Sequence, residues 1–202
     1  PVYVSAERRL NMASITIIGT GNMSKALQTL FERSRSQVQV INHKESTKTP
    51  VEGDIVVLAV PYTALFDIVA KLGDELSDKV VVDICNPVDA ASFTLIRPEA
   101  GSAAAEYAAA LPGAHVVKAF NTNFAATLAS GSVASAPISV LIAGYDAEAK
   151  KALSDVVTAS GAAAYDVGGL ARAAELEALG FLQIALAASG QIGWTNGFAL
   201  YQ

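Results

Sequence analysis

Residues Ser14 to Lys25 read S-I-T-I-I-G-T-G-N-M-S-K. Ile15, Ile17 and Ile18 form a β-branched apolar run, the composition of a strand buried on both faces of a parallel sheet. The run breaks into Gly19-Thr20-Gly21-Asn22-Met23-Ser24, after which Ala26, Leu27, Leu30 and Phe31 recur at helical spacing. Strand, glycine turn and helix follow in the order of a dinucleotide-binding turn. Gly19 permits a sharp bend, Gly21 lets the main chain approach a pyrophosphate without a Cβ in the way, and the helix start offers free N–H groups to the phosphates. Ser24 stands where the pattern prefers Gly or Ala for close helix–strand packing.

Outward from this stretch, the chain alternates apolar strands with helical patterns. The sequence predicts strands over Val38 to Asn42, Asp54 to Val60, Lys79 to Ile84, His115 to Phe120, Ile138 to Ala143 and Ala162 to Val167. Helices are expected over Tyr62 to Leu72 (with Leu65, Phe66, Ile68 and Val69 inward), Ala103 to Leu111 and Asn123 to Ala129. Two more are expected, one capped by Asp146 and running to Ala159, the other from Leu170 to about Ser189. Val88 to Ser102, with Pro98 and Gly101, has no period and reads as a long loop of the kind that often serves as a lid. About a dozen residues separate the second and third strands, and Thr47 to Gly53 lacks helical periodicity. That crossover reads as a loop or single turn, leaving the adenosine end of a cleft open. The pattern implies an α/β fold: a Rossmann-type, doubly wound, mostly parallel sheet.

At 202 residues and 52% hydrophobic, the chain fits one well-buried domain. The expected organisation is a leader or disordered arm over residues 1–13 and a single dinucleotide-binding domain over 14–202. The latter includes a small helical C-terminal lobe from about 145. A net charge of −5 with no basic stripe argues against nucleic acid. No apolar run approaches the ~20 residues of a bilayer span, and no signal peptide is visible, so no membrane association and a cytoplasmic location are expected. Cys85 is the single cysteine. It permits no intrachain disulfide, lacks partners for a zinc site, and reads as an inert packing residue.

The end of the second strand selects between NAD and NADP, because an acid there binds both ribose hydroxyls and repels a 2′-phosphate. Here the position falls on Asn42, His43 and Lys44, followed by Glu45, Ser46, Thr47 and Lys48. Asn42 and His43 are not anionic, and Lys44, Ser46, Thr47 and Lys48 offer donors suited to a phosphate, the plain alternative being that both lysines solvate a surface loop. A charge-assisted hydrogen bond, about 1.5–3 kcal/mol, gives a preference of about ten- to a hundredfold for NADP. Glu45 is the counter-signal. Other candidates lie where open α/β sheets bind ligands, at the carboxyl ends of strands: Val60, Pro61 and Tyr62; Asn86 and Pro87; Ala119, Phe120, Asn121 and Thr122. Strand-ending turn chemistry is the plain alternative for both proline-containing groups, and a core position is the alternative for Phe120. His115 reads as a surface residue, and His43 either touches the adenosine or sits in a solvated loop. Asp83 is expected to bond main-chain donors. Arg172, Glu175 and Glu177 share helical spacing on what reads as a solvated face or subunit contact.

Six segments together carry a family resemblance: I-G-T-G-N-M, V-V-L-A-V-P-Y, V-V-D-I-C-N-P, V-V-K-A-F-N-T, D-V-G-G-L and A-R-A-A-E-L-E. They resemble the NADPH-dependent coenzyme F-420 (deazaflavin) reductases, and within them the short bacterial dinucleotide-binding oxidoreductases. The likeness runs from Ser14 to Gln202 in the family's order and extends to the cytosolic domain of membrane metalloreductases, where a flavin replaces the deazaflavin. It implies hydride transfer between NADPH and a deazaflavin or flavin-like ring lying over the nicotinamide. Gly19, Thr20, Gly21, Asn22 and Met23 would hold the dinucleotide, while Val60, Pro61, Tyr62, Asn86 and Pro87 would border the nicotinamide riboside. Ala119, Phe120, Asn121 and Thr122 would border the second ring. Such a transfer needs no protein nucleophile, and the sequence offers no Ser/His/Asp set and no metal cluster, so no catalytic side chain is assigned. Two other readings stay open: an NADP(H)-binding redox sensor without turnover, and a pyrroline-5-carboxylate or imine reductase-like enzyme. Against the latter, only about thirty residues follow the last strand. Apolar residues over most of the final helix predict a homodimer.

Overall fold

The computed structural model describes residues 12–45 and 48–201, and of Leu65 only its backbone. Most of the expected N-terminal arm, with Ser46 and Thr47, therefore lies outside the described residues. In chain order the elements begin with β1 (Ser14–Ile18), α1 (Asn22–Arg33), β2 (Gln37–Ile41), β3 (Ile55–Leu58), α2 (Tyr62–Leu72) and β4 (Val80–Asp83). A two-stranded ribbon follows, β5 (Val88–Asp89) with β6 (Thr94–Leu95), then α3 (Ala103–Ala110), β7 (His115–Lys118) and α4 (Ala125–Ser130). A second ribbon, β8 (Ser132–Val133) with β9 (Ala136–Pro137), precedes β10 (Ser139–Gly144), α5 (Ala147–Ala159), β11 (Ala163–Gly168) and α6 (Ala173–Ala188).

Seven strands form the central sheet in the order β11-β10-β7-β4-β3-β1-β2. All neighbours are parallel except β10, which runs antiparallel to β7. This is a mostly parallel Rossmann-type α/β sheet. Because side chains alternate across a strand, Ile15 and Ile17 face one side with Leu27 and Phe31 of α1 and Leu153 and Val157 of α5. Val56 and Leu58 face the other, with Ile68 and Leu72 of α2 and Tyr107 of α3. Burial on both faces explains why the central strands read as continuous apolar runs. β2 lies on one side of β1 and β3 on the other, so the strand order reverses there, and a crevice opens at their carboxyl ends.

Several expectations are corrected by packing. The 88–102 segment is no structureless loop, since it carries the β5–β6 ribbon, closed by Asp89 Oδ1 accepting from Ala91 and Ser92 N–H. The ribbon around β8 and β9 was not legible at all, being too short for periodicity. Phe66, expected inward, is 43% exposed, edge-on to Tyr62 and tilted against Tyr107. The expected helix from Asn123 starts two residues later at Ala125. Asp146 does cap α5, its carboxylate accepting from Ala149 N–H, and His115 Nδ1 lies 2.7 Å from Asp146 Oδ2. No helix among the described residues is long and apolar enough to cross a membrane.

Candidate active site

The glycine turn after β1 is built for close approach. Gly19 sits at φ +129°, and a Cβ there would lie 2.2 Å from the Ala59 carbonyl oxygen, so only glycine fits. Its N–H donates to Ile41 O at 2.8 Å, which binds the end of β2, and with it Asn42, to the turn. The Ser24 hydroxyl, in the position where the motif prefers Gly or Ala, donates to Gly19 O at 2.7 Å and locks the bend. Gly21 occupies the N-cap of α1 without a side chain, the first turn holds no acidic residue, and a Cβ on Gly21 would meet nothing within 4 Å. The helix thus starts with N–H groups that no capping side chain satisfies, facing open space, an arrangement suited to a phosphate.

From this turn a cleft of about 910 Å³ runs along the carboxyl ends of β1, β3, β4 and β7. One end is lined by Gly21, Asn22, Met23, Val60, Pro61 and Tyr62, the middle by Ile84, Cys85, Asn86 and Val88. The wall after β7 is formed by Asn121, Asn123, Phe124, Ala125, Ile184 and Trp194, and the α4 helix it leads into packs along α1. The structure therefore gathers seven of the residues singled out in the sequence around one space, together with Asn121. It places Ala119 and Phe120 in the core, fully buried, with the Phe120 ring edge-on to Phe31 at 5.8 Å. Thr122 is buried, and neither it nor Pro87 lines the cleft. Asn42, His43 and Lys44 lie beyond it, in the turn after β2, where Asn42 Oδ1 accepts from Lys44 N–H. Asn123, Phe124, Ile184 and Trp194 were missed as site residues. Trp194 carried the one available signal, a lone tryptophan beyond the last helix.

Two asparagines join the strands to α6. Asn86 Nδ2 donates to Asn121 O at 2.8 Å, and Asn121 Nδ2 donates to Asn86 Oδ1 and to Leu176 O at 2.8 and 2.7 Å. Gly180 of α6 makes room for this clasp, for a Cβ there would lie 2.5 Å from Asn86 Oδ1 and 2.7 Å from Asn121 O. The backbone turns toward the clasp at Phe120, which holds φ +60° inside the core, a left-handed conformation uncommon for an aromatic residue and fixed here by packing.

Beneath the cleft floor lies a buried ionic cluster. Lys118 Nζ reaches Asp83 Oδ2 at 2.8 Å, Glu177 Oε1 at 2.9 Å and the Cys85 carbonyl at 2.6 Å, with all three charged side chains nearly or fully buried. This corrects the expected grouping of Glu177 with Arg172 and Glu175: those two pair on the surface, whereas Glu177 turns inward and also accepts from Ala103 and Ala104 N–H. Asp83 does bond a main-chain donor as expected, Cys85 N–H at 2.9 Å. Burial works against the Lys118 ammonium, but the Asp83, Cys85 and Glu177 side chains outweigh it and hold its pKa above the ordinary lysine value. One ammonium serves two carboxylates, and burial leaves the Glu177 pKa raised despite Lys118. Burial, with the Asp83 charge, also pushes the Cys85 thiol up, which suits a packing role and disfavours a thiolate nucleophile. Tyr62 donates to Glu106 Oε2 at 2.8 Å, and burial followed by that bond raises its phenol well above the ordinary value.

A glycine turn opening a helix at the switch point of a parallel sheet, beside an uncharged cleft, defines the dinucleotide-binding Rossmann class. Residues 44–87 match the family model described as NADP oxidoreductase coenzyme F420-dependent. The F420-dependent NADP reductase of Methanocaldococcus jannaschii is 31% identical over 170 residues, covering 80% of this chain and 74% of that protein. The chain belongs to this family of NADP-dependent oxidoreductases. Metalloreductase STEAP3 of Rattus norvegicus is 33% identical over 175 residues, covering 86% of this chain, and the chain spans about a third (33%) of that protein's length. A crystal structure from Arthrobacter sp. FB24, provisionally named an F420-dependent NADP reductase, superposes with a TM-score of 0.82 at 20% identity. It covers 93% of this chain and 99% of that one, a likeness of fold.

Proposed function

We propose that this chain transfers hydride between NADPH and a deazaflavin or flavin-like ring, both held in the one cleft. When bound, the dihydronicotinamide supplies two electrons and a proton as hydride to the acceptor ring, a solvent proton completes the reduced acceptor, and NADP⁺ remains. The protein's part is to bind, align and keep water out. The uncapped N–H groups at Asn22 and Met23 would hold the pyrophosphate, with Gly19, Thr20 and Gly21 shaping the turn. Asn42, His43, Lys44 and Ser46 would meet the adenosine ribose and its phosphate. Val60, Pro61, Tyr62 and Asn86 would flank the nicotinamide, Pro87 fixing the chain behind Asn86. Asn121, with Ala119, Phe120 and Thr122 supporting it from the core, would border the second ring.

The observation that carries this reading is that a single cleft is lined both by the open α1 N-terminus and by an aromatic and aliphatic wall after β7. Its volume, about 910 Å³, sits near the top of the ~300–1,000 Å³ range of small-molecule sites and leaves room beyond one nicotinamide. The test is oxidation of NADPH at 340 nm with a panel of deazaflavin, FMN, FAD and quinones. Turnover with a flavin-like member is expected. Tight NADPH binding without turnover on any acceptor would instead make the chain a redox sensor.

A homodimer belongs to the same proposal. Leu182 on α6 is exposed, as are Leu200 and Tyr201 beyond it, apolar side chains that a second copy would cover. Size-exclusion chromatography with light scattering is expected to give twice the chain mass, and a monomer at micromolar concentration removes the proposal.

A further inference from the structure

The cleft wall after β7 has features that the dinucleotide reading does not use. Trp194 lies on its rim, 54% exposed, with its ring 4.9 Å from that of Phe124, itself buried. The segment carrying Trp194 is anchored from beneath. Gln183 on α6 is 1% exposed and its Oε1 accepts from Phe198 N–H at 3.1 Å, while Ser139 Oγ accepts from Leu200 N–H at 2.9 Å. The indole is thus held over the opening although half of it stays in water, an arrangement that gains little from folding alone. None of the described residues lining the cleft carries a charge. The polar groups on this wall are the Asn121 and Asn123 amides, whose nitrogens are committed to Leu176 O, Asn86 Oδ1 and Ser139 O. Their Oδ1 atoms are buried without a donor.

We infer that Trp194, with Phe124, is the specificity-determining surface for the second substrate, and that it recognises a flat conjugated ring by its faces without reading a phosphate or an anionic tail. Aromatic faces bind a planar ring through dispersion and offset or edge contacts, with no counter-charge required. An anionic group on the acceptor would find no cation among the described lining residues and would be left in solvent. This inference rests on the proposed function, since it needs the dinucleotide to lie along Gly21, Tyr62 and Asn86 and leave Trp194 uncovered.

The test uses riboflavin and FMN, which share a ring and differ by one phosphate, with NADP⁺ in excess so that the phosphate-binding start of α1 is already occupied. Trp194 is the only tryptophan in the chain, so quenching of indole emission by either reports on this site directly. Both are expected to quench, with dissociation constants within about threefold of each other. Flavin fluorescence anisotropy then follows the variants: Trp194→Ala weakens flavin binding by roughly tenfold, and Trp194→Phe restores most of it. NADPH affinity, read by calorimetry, stays within about twofold in both variants. FMN binding tenfold or more tighter than riboflavin overturns the inference, as does no quenching or an unaltered affinity in Trp194→Ala. Flavin binding with no NADPH binding would overturn the proposed function and leave the Trp194 assignment standing.

Discussion

Lys118 of β7 and Asp83 of β4 form an ion pair at 2.8 Å with both side chains fully buried, directly behind the cleft floor. The pair links neighbouring strands, and Glu177 extends it to α6 and to the first N–H groups of α3. Taking these charges out of water costs several kcal/mol per ion, offset only while every partner is in place. Replacing Lys118 by Met leaves two carboxylates facing each other in the core. Lys118→Met is expected to lose about 3–5 kcal/mol of stability, a large part of the total for a domain of this size. Urea unfolding followed by far-UV circular dichroism measures it.

The pH dependence has a definite sign. The Glu177 pKa is raised in the folded protein, so the native state holds that proton more tightly than the unfolded chain does. Its favourable contribution is present below the ordinary glutamate pKa and is lost as pH rises through the raised value. Glu177→Gln removes the titration, keeps a carbonyl oxygen for Lys118, and leaves a balanced Lys118–Asp83 pair. Between pH 5 and pH 8 the variant is expected to lose less stability than the wild type, as judged by urea midpoints at both values. An equal loss in the two proteins would show that Glu177 does not titrate in this way.

The two glycines of the first turn separate folding from binding. Gly19→Ala forces a side chain onto φ +129° and into the Ala59 carbonyl, and backbone strain alone costs about 1–3 kcal/mol. Gly21→Ala meets no atom and has an ordinary extended backbone, so its cost is that of a poorer N-cap, about 1 kcal/mol. NADPH affinity is nevertheless expected to fall about ten- to a hundredfold in Gly21→Ala, the worth of one charge-assisted bond. Calorimetric titration beside thermal unfolding checks both halves. Normal NADPH affinity in Gly21→Ala would remove the phosphate from this turn.

Gly180→Ala is the corresponding test of the clasp. The added Cβ would sit 2.5 Å from Asn86 Oδ1, so α6 must move away from Asn86 and Asn121. Overpacking of this kind costs about 1–3 kcal/mol. Because the displaced helix carries Ile184 at the cleft, turnover is expected to fall by more than stability alone explains, read as kcat at a temperature where the variant remains folded.

How much was legible follows from how far each signal reaches along the chain. The β1 turn and its neighbours could be read because the glycines, the apolar run and the helix start are contiguous, and so could the bounds of α2 and the cap of α5. Glu177 could not: helical spacing put it with Arg172 and Glu175, yet it lies two residues beyond Glu175 and so turns to another face of α6, where Lys118 waits fifty-nine positions earlier in sequence. Phe120 illustrates the same limit, since it sits among residues that read as cleft wall, but a left-handed backbone sends its ring into the core and Asn121 toward the cleft.

The sequence by itself determined the alternation of strands and helices, the mostly parallel sheet and the place of the dinucleotide turn, because these depend on side-chain period and on backbone conformations local to a few residues. Only the tertiary structure decided which groups meet around and beneath the cleft: Trp194 on Phe124, Gly180 under the asparagine clasp, and a lysine shared by two buried carboxylates. Those contacts join segments tens of residues apart, and it is burial, absent from the linear pattern, that gives them their energies.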